Sequence, residues 1–485
     1  MRTKAQKYPA FDAEIEAIEA GGITDELLNR IIRKHNPNAE YNRGLIDRYE
    51  ALEGCVPIFE REPRFGGDSK EIINHKINND FFGEIIDFKT GYFAGNPIAY
   101  SYADTREAME DTGDAGDNTD EMQEAREIAT KAITDFITRN NMFDIDMECT
   151  KAAAICGYAA RLFFIDPNGD ERVMVIPPNE AAILSKTRDI THPTYGLRYY
   201  RIKDINDTEK VKAEFYDSEW IYYAEGFDGD LHIVDQQPNL FGCCPLQGIP
   251  NNAEMLGDAE KVLALIDAYD RAISDINNEV DSFANAYMVY ENVSMTEGEM
   301  RKAQASGAIQ FFTGGTDGKV YFLTKEINDG FLEHHLDRLE KNIYRFSKTP
   351  NMDDEVFGTA SGVALKFKLT GTEAKCGMFE AKMISAGTYM FELLASVWDK
   401  KQIKIDPLQC TTSYKRNFPL DLLSEAQAAQ ALIAAGVPER IAFEMALSGV
   451  DDVEYVMQIK EMEKEAIPAP SLMDDEDDAG GEDDA

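Results

Sequence analysis

The sequence predicts an α+β fold, and three observations lead to this prediction. Residues 251–400 combine long amphipathic helices with a short strand-rich segment and an irregular loop. Between about residues 158 and 235, short apolar strands alternate with Asn-Gly and Asp-Gly turns, which is typical of an antiparallel meander. Helical segments return after residue 420. Helices that carry a small β module at their far end resemble a shaft with a tip, an architecture suited to assembly.

The first long helix is predicted from about Glu254 to Phe283. Its apolar residues recur every three or four positions, which is the spacing of one helical face. They are Leu256, Ala259, Val262, Ile266, Tyr269, Ile273, Ile276, Val280 and Phe283. A helix of this length would extend about 45 Å. The following stretches "NAYMVYEN" and "AIQFFTGGTDGKVYFL" predict strands and turns.

Two further helices follow in this part of the chain. The second, about Gly330–Ser347, repeats the apolar spacing, and the third runs from near Val363 or after Gly371 to about Trp398. The third helix carries the apolar residues Phe367, Ala374, Met378, Ala381, Ile384, Phe391 and Leu394. Near the N-terminus, two short helices are predicted that end at Asn36-Pro37, because proline disfavours a helix interior.

Composition limits the environment of the chain. The 485 residues are 44% hydrophobic, which is enough for two to four structural units. No apolar run approaches the roughly 20 residues that span a bilayer, and the N-terminus lacks the form of a signal peptide. Seven scattered cysteines indicate free thiols in a reducing compartment. We therefore expect a cytoplasmic protein, or a particle assembled in the cytoplasm.

The net charge of −40 is the second strong signal. The last 13 residues, "MDDEDDAGGEDDA", contain eight acids and no base, so most of the charge is distributed over the rest of the chain. Tight DNA binding requires a basic surface that neutralises phosphates. The chain should therefore not bind nucleic acid tightly in bulk, although it could surround it.

Several stretches, in this order, resemble the portal (head–tail connector) proteins of tailed bacteriophages, in particular the siphophage portal family. They are "FFGEIIDFKTGYFAGNPIAY", which Asp80 precedes, "ICGYAARLFFID", "GIPNNAEMLGDAEKVLALIDAYDRAISDINNEVDSFANAYMVY", "SKTPNMDDEVFGTASGVALKFKL" and "SYKRNFPLD". The ordered set extends over most of the chain, and it is more specific than any one of its members.

The resemblance implies a portal fold: a mixed α/β wing, a long-helix stem, a small β-rich clip and a helical crown, assembled as a ring. It divides the chain into an N-terminal helical arm (1–40), wing (41–250), stem helix (251–283), clip (284–329), second stem helix (330–349), channel loop (350–362), long wing helix and strand (363–419), crown (420–466) and disordered acidic tail (467–485). The acidic stretch at 104–120 is longer than the family pattern predicts.

The resemblance also implies a function and partners. The expected protein is a homododecameric ring at one capsid vertex through which double-stranded DNA is packaged and ejected without sequence specificity. It would nucleate procapsid assembly with the major capsid and scaffolding proteins, and dock the terminase and the head-completion, or adaptor, protein. It would be part of the virion, assembled in the host cytoplasm, with no membrane partner, no cofactor and no metal.

A basic stripe is predicted on the second stem helix. Its members Arg338, Lys341, Arg345 and Lys348 are three or four residues apart, so they share one face. Two interpretations remain open. The side chains pair with acids of the first long helix, such as Asp267, Asp270, Asp275 or Glu279, as surface charges usually do. Alternatively, they contact DNA inside the ring.

The loop 350–362 is the second candidate site. Three acids are followed by two bulky apolar residues and a glycine: Asp353, Asp354, Glu355, Val356, Phe357 and Gly358. By resemblance, this segment presents side chains to DNA in the channel. The alternative is an ordinary connection between two helices.

Enzymatic interpretations fail on spacing. "GGTDGKV" lacks the glycine and the hydroxyl residue of a phosphate-binding loop. The chain contains neither Cys-x-x-Cys nor His-Glu-x-x-His, so a dedicated zinc site is not expected. The remaining alternative is an acidic cytoplasmic enzyme whose dispersed carboxylates bind a metal. We expect a non-enzymatic protein.

Overall fold

The computed structural model describes residues 2–62, 73–102, 119–284, 287–291, 296, 298, 301, 319–323, 329–352, 362–417, 422–446 and 457. The chain divides into two compact units, Met1–Gly358 with Phe367–Asn417, and Thr359–Lys366 with Phe418–Ala485. The helices are α1 Asp12–Gly21, α2 Asp25–Tyr49, α3 Phe81–Ala94, α4 Thr119–Asn140, α5 Met142–Cys156, α6 Leu263–Ala284, α7 Asp329–Ser347, α8 Gly362–Lys400, α9 Leu422–Ala434 and α10 Glu439–Ala446. The strands are β1 Ala99–Tyr102, β2 Tyr158–Ile165, β3 Glu171–Ile176, β4 Ala181–Leu184, β5 Tyr195–Lys203, β6 Glu209–Tyr216, β7 Trp220–Phe227, β8 Asp230–Pro238, β9 Leu246–Pro250, β10 Tyr287–Glu291, β11 Lys319–Leu323 and β12 Cys410–Ser413.

The α+β class is confirmed, and the sheets are antiparallel. The strands of the expected meander belong to two different sheets. Strands β4–β8 form a five-stranded sheet in sequential order, and a three-stranded sheet has the order β3-β2-β9. The sequence pattern did not indicate β4 and β9, because both are short and completely buried, and so lack the alternation that marks a half-buried strand. Several apolar cores of the first unit pack against these sheets.

Side chains close both edges of the five-stranded sheet. At the β4 edge, the hydroxyl of Tyr8 accepts a hydrogen bond from the Ile183 amide (2.6 Å) and donates one to the Ile183 carbonyl (2.8 Å). At the β8 edge, the amide side chain of Asn29 makes the equivalent pair of bonds with the backbone of Leu231, at 3.1 and 2.9 Å. Because unpaired edge groups invite strand addition, these contacts protect the two edges at Ile183 and Leu231.

Helix α2 does not end at Asn36-Pro37, contrary to the sequence prediction. It continues through Pro37 to Tyr49. A proline removes one backbone hydrogen bond, but burial on both sides of Pro37 compensates for this loss. His35 is buried against the hydroxyl of Tyr199 (Nδ1 to Oη, 2.8 Å), and the Asn38 side chain donates to the Gln6 carbonyl at 2.8 Å.

The first long helix begins later than predicted. Helix α6 starts at Leu263 and not near Glu254, so its 22 residues extend about 33 Å. Residues 251–262 form turns instead, because their polar groups bond locally. The side chains of Asn251 and Asn252 both donate to the Leu256 carbonyl, at 2.8 and 2.7 Å, and the Gly257 amide donates to the Glu260 carboxylate.

Helix α8 confirms the third predicted helix, extended to Gly362–Lys400. Its seven predicted apolar residues do not share one environment. Phe391 and Leu394 are buried, whereas five are exposed: Phe367, Ala374, Met378, Ala381 and Ile384. The helix buries a different face toward α3, α5 and β9, through residues such as Cys376, Phe379 and Met383.

The second unit contains α9 and α10, which are joined by a short turn. Ala429 of α9 and Ala442 of α10 are buried. Among the described helices of the whole chain, none is long and apolar enough to cross a membrane.

Candidate functional site

The two helices α6 and α7 form an antiparallel pair, joined at one end through the hairpin of β10 and β11. Ile266 of α6 and Ile343 of α7 belong to one buried core together with α3. Phe81 of α3 packs edge-on against Tyr269 and Tyr344, with ring centroids 4.9 and 5.8 Å apart. The pair is therefore anchored by aromatic packing at the end opposite to the hairpin.

A segment outside the helices and strands, residues 73–79, lies along α6 and bonds to it at regular intervals. The backbone amides of His75, Ile77 and Asn79 donate to side chains of Asn278 (2.7 Å), Ser274 (3.0 Å) and Asp270 (3.0 Å), respectively. Two extended residues rise about 6.6 Å and four helical residues about 6 Å, so alternate amides meet successive turns. This segment, hereafter the strap, thus satisfies its backbone with side chains of one helix face.

The acids of α6 are engaged by residues outside the helix pair. Asp267 pairs with Arg48 of α2 at 2.6 Å, and Asp275 pairs with Arg61. Asp270 accepts from the Asn79 side chain at 2.8 Å. Burial raises the pKa of Asp270, and the bonds from Asn79 oppose this effect. These contacts occupy three of the acids that could have paired with the basic stripe.

The basic stripe is exposed over its whole length. Arg338, Lys341 and Arg345 lie on the face of α7 opposite to its buried residues, and Lys348 lies one residue beyond the helix end with φ 60°. Within the described part of the chain, Lys341 is the one member with a carboxylate partner, Asp337 at 3.9 Å on the same helix. Both of these side chains are exposed, so this pair contributes little stability.

A buried charge cluster joins the base of α6 to three other elements. The Lys89 ammonium of α3 lies 2.8 Å from one carboxylate oxygen of Asp258, and Lys375 of α8 contacts the other oxygen. Lys375 also donates to the carbonyl of Ser347, the last residue of α7, at 2.8 Å. Burial alone would raise the pKa of Asp258, but the two ammonium groups outweigh it and lower the pKa.

Another buried ion pair, Arg2 with Glu260, fixes the N-terminus to the same region. The Arg2 guanidinium lies 2.8 Å from Glu260 and donates to the Met255 carbonyl at 2.8 Å. The Tyr41 hydroxyl donates to the other oxygen of Glu260 at 3.1 Å. Residues 251–262 are therefore a junction where the N-terminus, α2, α3, α7 and α8 meet α6.

The junction and the strap were not predicted from the sequence. One signal was available for the junction: Lys89 interrupts the apolar helix "FFGEIIDFKTGYFA" at the position where Ile85 and Phe93 indicate a buried face. A buried lysine requires a carboxylate partner. The strap left no such signal, because its contacts use backbone amides.

The channel loop lies outside the described residues: Asp353, Asp354, Glu355, Val356, Phe357 and Gly358 are not among them. The same holds for residues 103–118, which include most of the acidic stretch, and for the acidic tail. In the residues that are described, no group of three or more His, Cys, Asp or Glu side chains could hold a metal. All seven cysteines are free, and burial raises the pKa of the Cys149 thiol to about 12, which keeps it protonated and unreactive.

The helix pair carries an exposed basic stripe and is fixed at its base to a body of helices and antiparallel sheets. Comparison with known proteins identifies the class. The family model "Phage portal protein, SPP1 Gp6-like" matches residues 28–469. The chain belongs to this family of phage portal proteins, which are non-enzymatic structural components of the virion involved in DNA packaging.

Two relatives are similar over most of their length. The portal protein of Bacillus phage SPP1 is 23% identical over 390 residues, which cover 75% of this chain and 71% of that protein. The portal protein of Clostridium phage phiCD119 is 24% identical over 432 residues, which cover 83% of this chain and 87% of that protein. The resemblance that the sequence stretches carried is thereby confirmed, and membership implies an oligomeric ring that interacts with DNA.

Proposed function

We propose that this chain forms a ring of about twelve copies at one capsid vertex, through which DNA is packaged and later ejected. The ring nucleates the procapsid and docks the terminase and the head-completion protein. The observation that carries this proposal is the match to the portal family over residues 28–469. The long helix pair, the small hairpin at its end and the β-rich body support it.

The proposed division of the chain follows the elements. α6 and α7 form the stem, and residues 284–329 with the β10–β11 hairpin form the clip. Residues 41–250 and α8 form the wing, and 420–466 the crown. The boundary between the N-terminal arm and the wing moves to the turn after α1, because α2 is continuous across residue 40.

The basic stripe faces DNA in the proposed channel. The contacts of the acids on α6 support this role of the stripe. Asp267 and Asp275 pair with arginines of other elements and leave the stripe exposed. In a ring, each of the four side chains becomes a circle of positive charge. An overall charge of −40 keeps DNA from binding tightly, while these circles keep the duplex centred.

The test is a variant with all four stripe residues changed to glutamine: Arg338→Gln, Lys341→Gln, Arg345→Gln and Lys348→Gln. The matched control changes four exposed bases elsewhere that have no ion pair among the described residues: Lys4→Gln, Arg33→Gln, Lys203→Gln and Lys404→Gln. Each variant supplies the portal to a phage that lacks its own.

We expect both variants to form rings of wild-type mass, because exposed charges add little to stability. The stripe variant should package several-fold less DNA per head, and the control should package normally. Equal packaging by the two variants would contradict the DNA-facing role of the stripe. A wild-type protein that never forms a ring would contradict the proposed function itself.

A further inference from the structure

Helix α8 has an exposed stripe without a single charged residue. Its members recur every three or four positions over about 26 Å of helix. They are Phe367, Thr370, Ala374, Met378, Ala381 and Ile384. Phe367 is 76% exposed, Met378 52% and Ile384 44%. The whole chain carries a net charge of −40, yet this face of α8 has no charged residue. A face of this composition, exposed in the single chain, indicates a contact with a partner.

The opposite face of the same helix is already buried within the chain. Cys376, Phe379 and Met383 pack into the core with α3, α5 and β9. A helix that is apolar on two faces needs a partner for each of them. The chain supplies the first partner, and the exposed stripe requires the second.

We propose that the uncharged stripe of α8 packs against a second copy of this chain, and that this contact closes the ring. The proposal rests on the proposed function, because family membership implies repeated copies. A cyclic ring uses two different faces of each subunit, so the stripe needs a complement elsewhere on the chain. DNA does not fit the stripe, which offers phosphates no cation.

The complement is the aromatic flank of α7. Phe331 and Phe346 are 66% and 53% exposed, and they lie on the same side of the helix as His335 and Asn342, between its buried face and its basic stripe. Phe331 stacks on His335 with an interplanar angle of 5°. This flank contains no lysine, arginine, aspartate or glutamate, and it extends about 23 Å, close to the length of the α8 stripe.

The α8 stripe and the α7 flank belong to helices that the junction already holds together. The Thr372 hydroxyl of α8 donates to the Lys348 carbonyl at 2.6 Å, directly after α7. The stripe covers about 260 Å², taking a helix width of about 10 Å, whereas a stable interface buries about 800 Å² per partner. The stripe is therefore the apolar centre of a larger subunit contact.

The test replaces two stripe residues in the full chain, Met378→Glu and Ile384→Glu, and measures the native mass. The control is Ile205→Glu, which makes the same kind of change at a fully exposed residue in the turn between β5 and β6. A second variant, Phe331→Glu with Phe346→Glu, examines the proposed complement. Circular dichroism verifies that each variant is folded.

We expect the control to form wild-type rings, and both helix variants to remain folded monomers, with at least a hundredfold weaker association. Rings of normal mass from the Met378/Ile384 variant would overturn the proposal while leaving the portal function intact. So would a variant that assembles normally but melts at a lower temperature, because its stripe would then be covered within its own chain. Normal rings from the Phe331/Phe346 variant alone would overturn the assignment of the complement.

Discussion

The ammonium of Lys89 and the carboxylate of Asp258 lie 2.8 Å apart, and each side chain is at most 4% exposed. Lys375 contacts the second carboxylate oxygen and carries the connection on to α7. One aspartate thus contacts two lysines at the point where the helix pair of α6 and α7 joins the body. The cluster fixes the base of α6 to α3, α7 and α8, so its charges are coupled to the geometry of the helix pair.

Asp258→Asn should destabilise the protein by about 3–5 kcal/mol, because it leaves two buried ammonium groups without a counter-charge. Lys375→Met should cost less, since Lys89 and Asp258 remain as a one-to-one pair. Asp235→Asn on the exposed strand β8 is the control and should be neutral. Urea unfolding measures the three variants. A Lys375→Met loss equal to that of Asp258→Asn would show that charge balance does not govern the cluster.

His35 should make the fold sensitive to acid. Burial lowers its pKa to about 3, so the folded protein holds the ring neutral, whereas the unfolded chain protonates near pH 6.5. The contribution of His35 to the free energy of unfolding is therefore fully present above pH 6.5 and is lost as the pH falls toward 3. At pH 5 the loss is about 2 kcal/mol. His35→Phe should lose stability at pH 8 but show a flatter decline between pH 7 and 5.

The control for this prediction is His232→Gln, since His232 is exposed and its pKa is raised by its bond to Asp25 and by Asp230. Acid unfolding followed by intrinsic fluorescence measures each decline. If His35→Phe and the wild type decline equally between pH 7 and 5, the buried imidazole does not cause the acid sensitivity.

Tyr8→Phe should open the β4 edge of the five-stranded sheet. The hydroxyl of Tyr8 is the partner of both backbone groups of Ile183, so its loss leaves a buried donor and a buried acceptor unpaired. The expected cost is about 1–3 kcal/mol. Hydrogen exchange at the Ile183 amide should accelerate correspondingly. Tyr200→Phe, on a neighbouring strand, should change neither quantity, and unchanged exchange at Ile183 in Tyr8→Phe would refute the sealing role.

The strap should depend on the acceptor at residue 270. Asp270→Ala removes the oxygen that takes both the backbone and side-chain donors of Asn79, so the strap should exchange its amide protons faster. Asp270→Asn keeps a carbonyl oxygen at the same place and should stay close to wild type. Hydrogen exchange of residues 75–79 distinguishes the two. Equal exchange in both variants would mean that the strap is held by other contacts.

The sequence predicted those parts of the fold that follow local rules. Helix α7 and most strands of the five-stranded sheet follow from apolar periodicity and from turns containing glycine. The predicted start of α6 was wrong because Asn251 and Asn252 bond to the Leu256 carbonyl. The predicted helix end at Pro37 was wrong because burial of His35 and Asn38 outweighs one lost hydrogen bond.

The role of the candidate site stays a prediction, and only the placement of its basic residues on one helix face can be compared with the structure. The exposed basic stripe follows directly from the spacing of Arg338, Lys341 and Arg345. The partners of the α6 acids did not, because Arg48 and Arg61 are more than 200 residues away in sequence. Apolar periodicity also could not show which face of α8 the fold buries, since Phe367 and Phe379 look alike in sequence.

The native mass of the purified protein tests the central claim most directly. Native mass spectrometry of the full chain at several protein and salt concentrations should show a closed assembly of about twelve 54.4 kDa subunits. A monomer or dimer under every one of these conditions would contradict the account, because neither can enclose a channel for DNA.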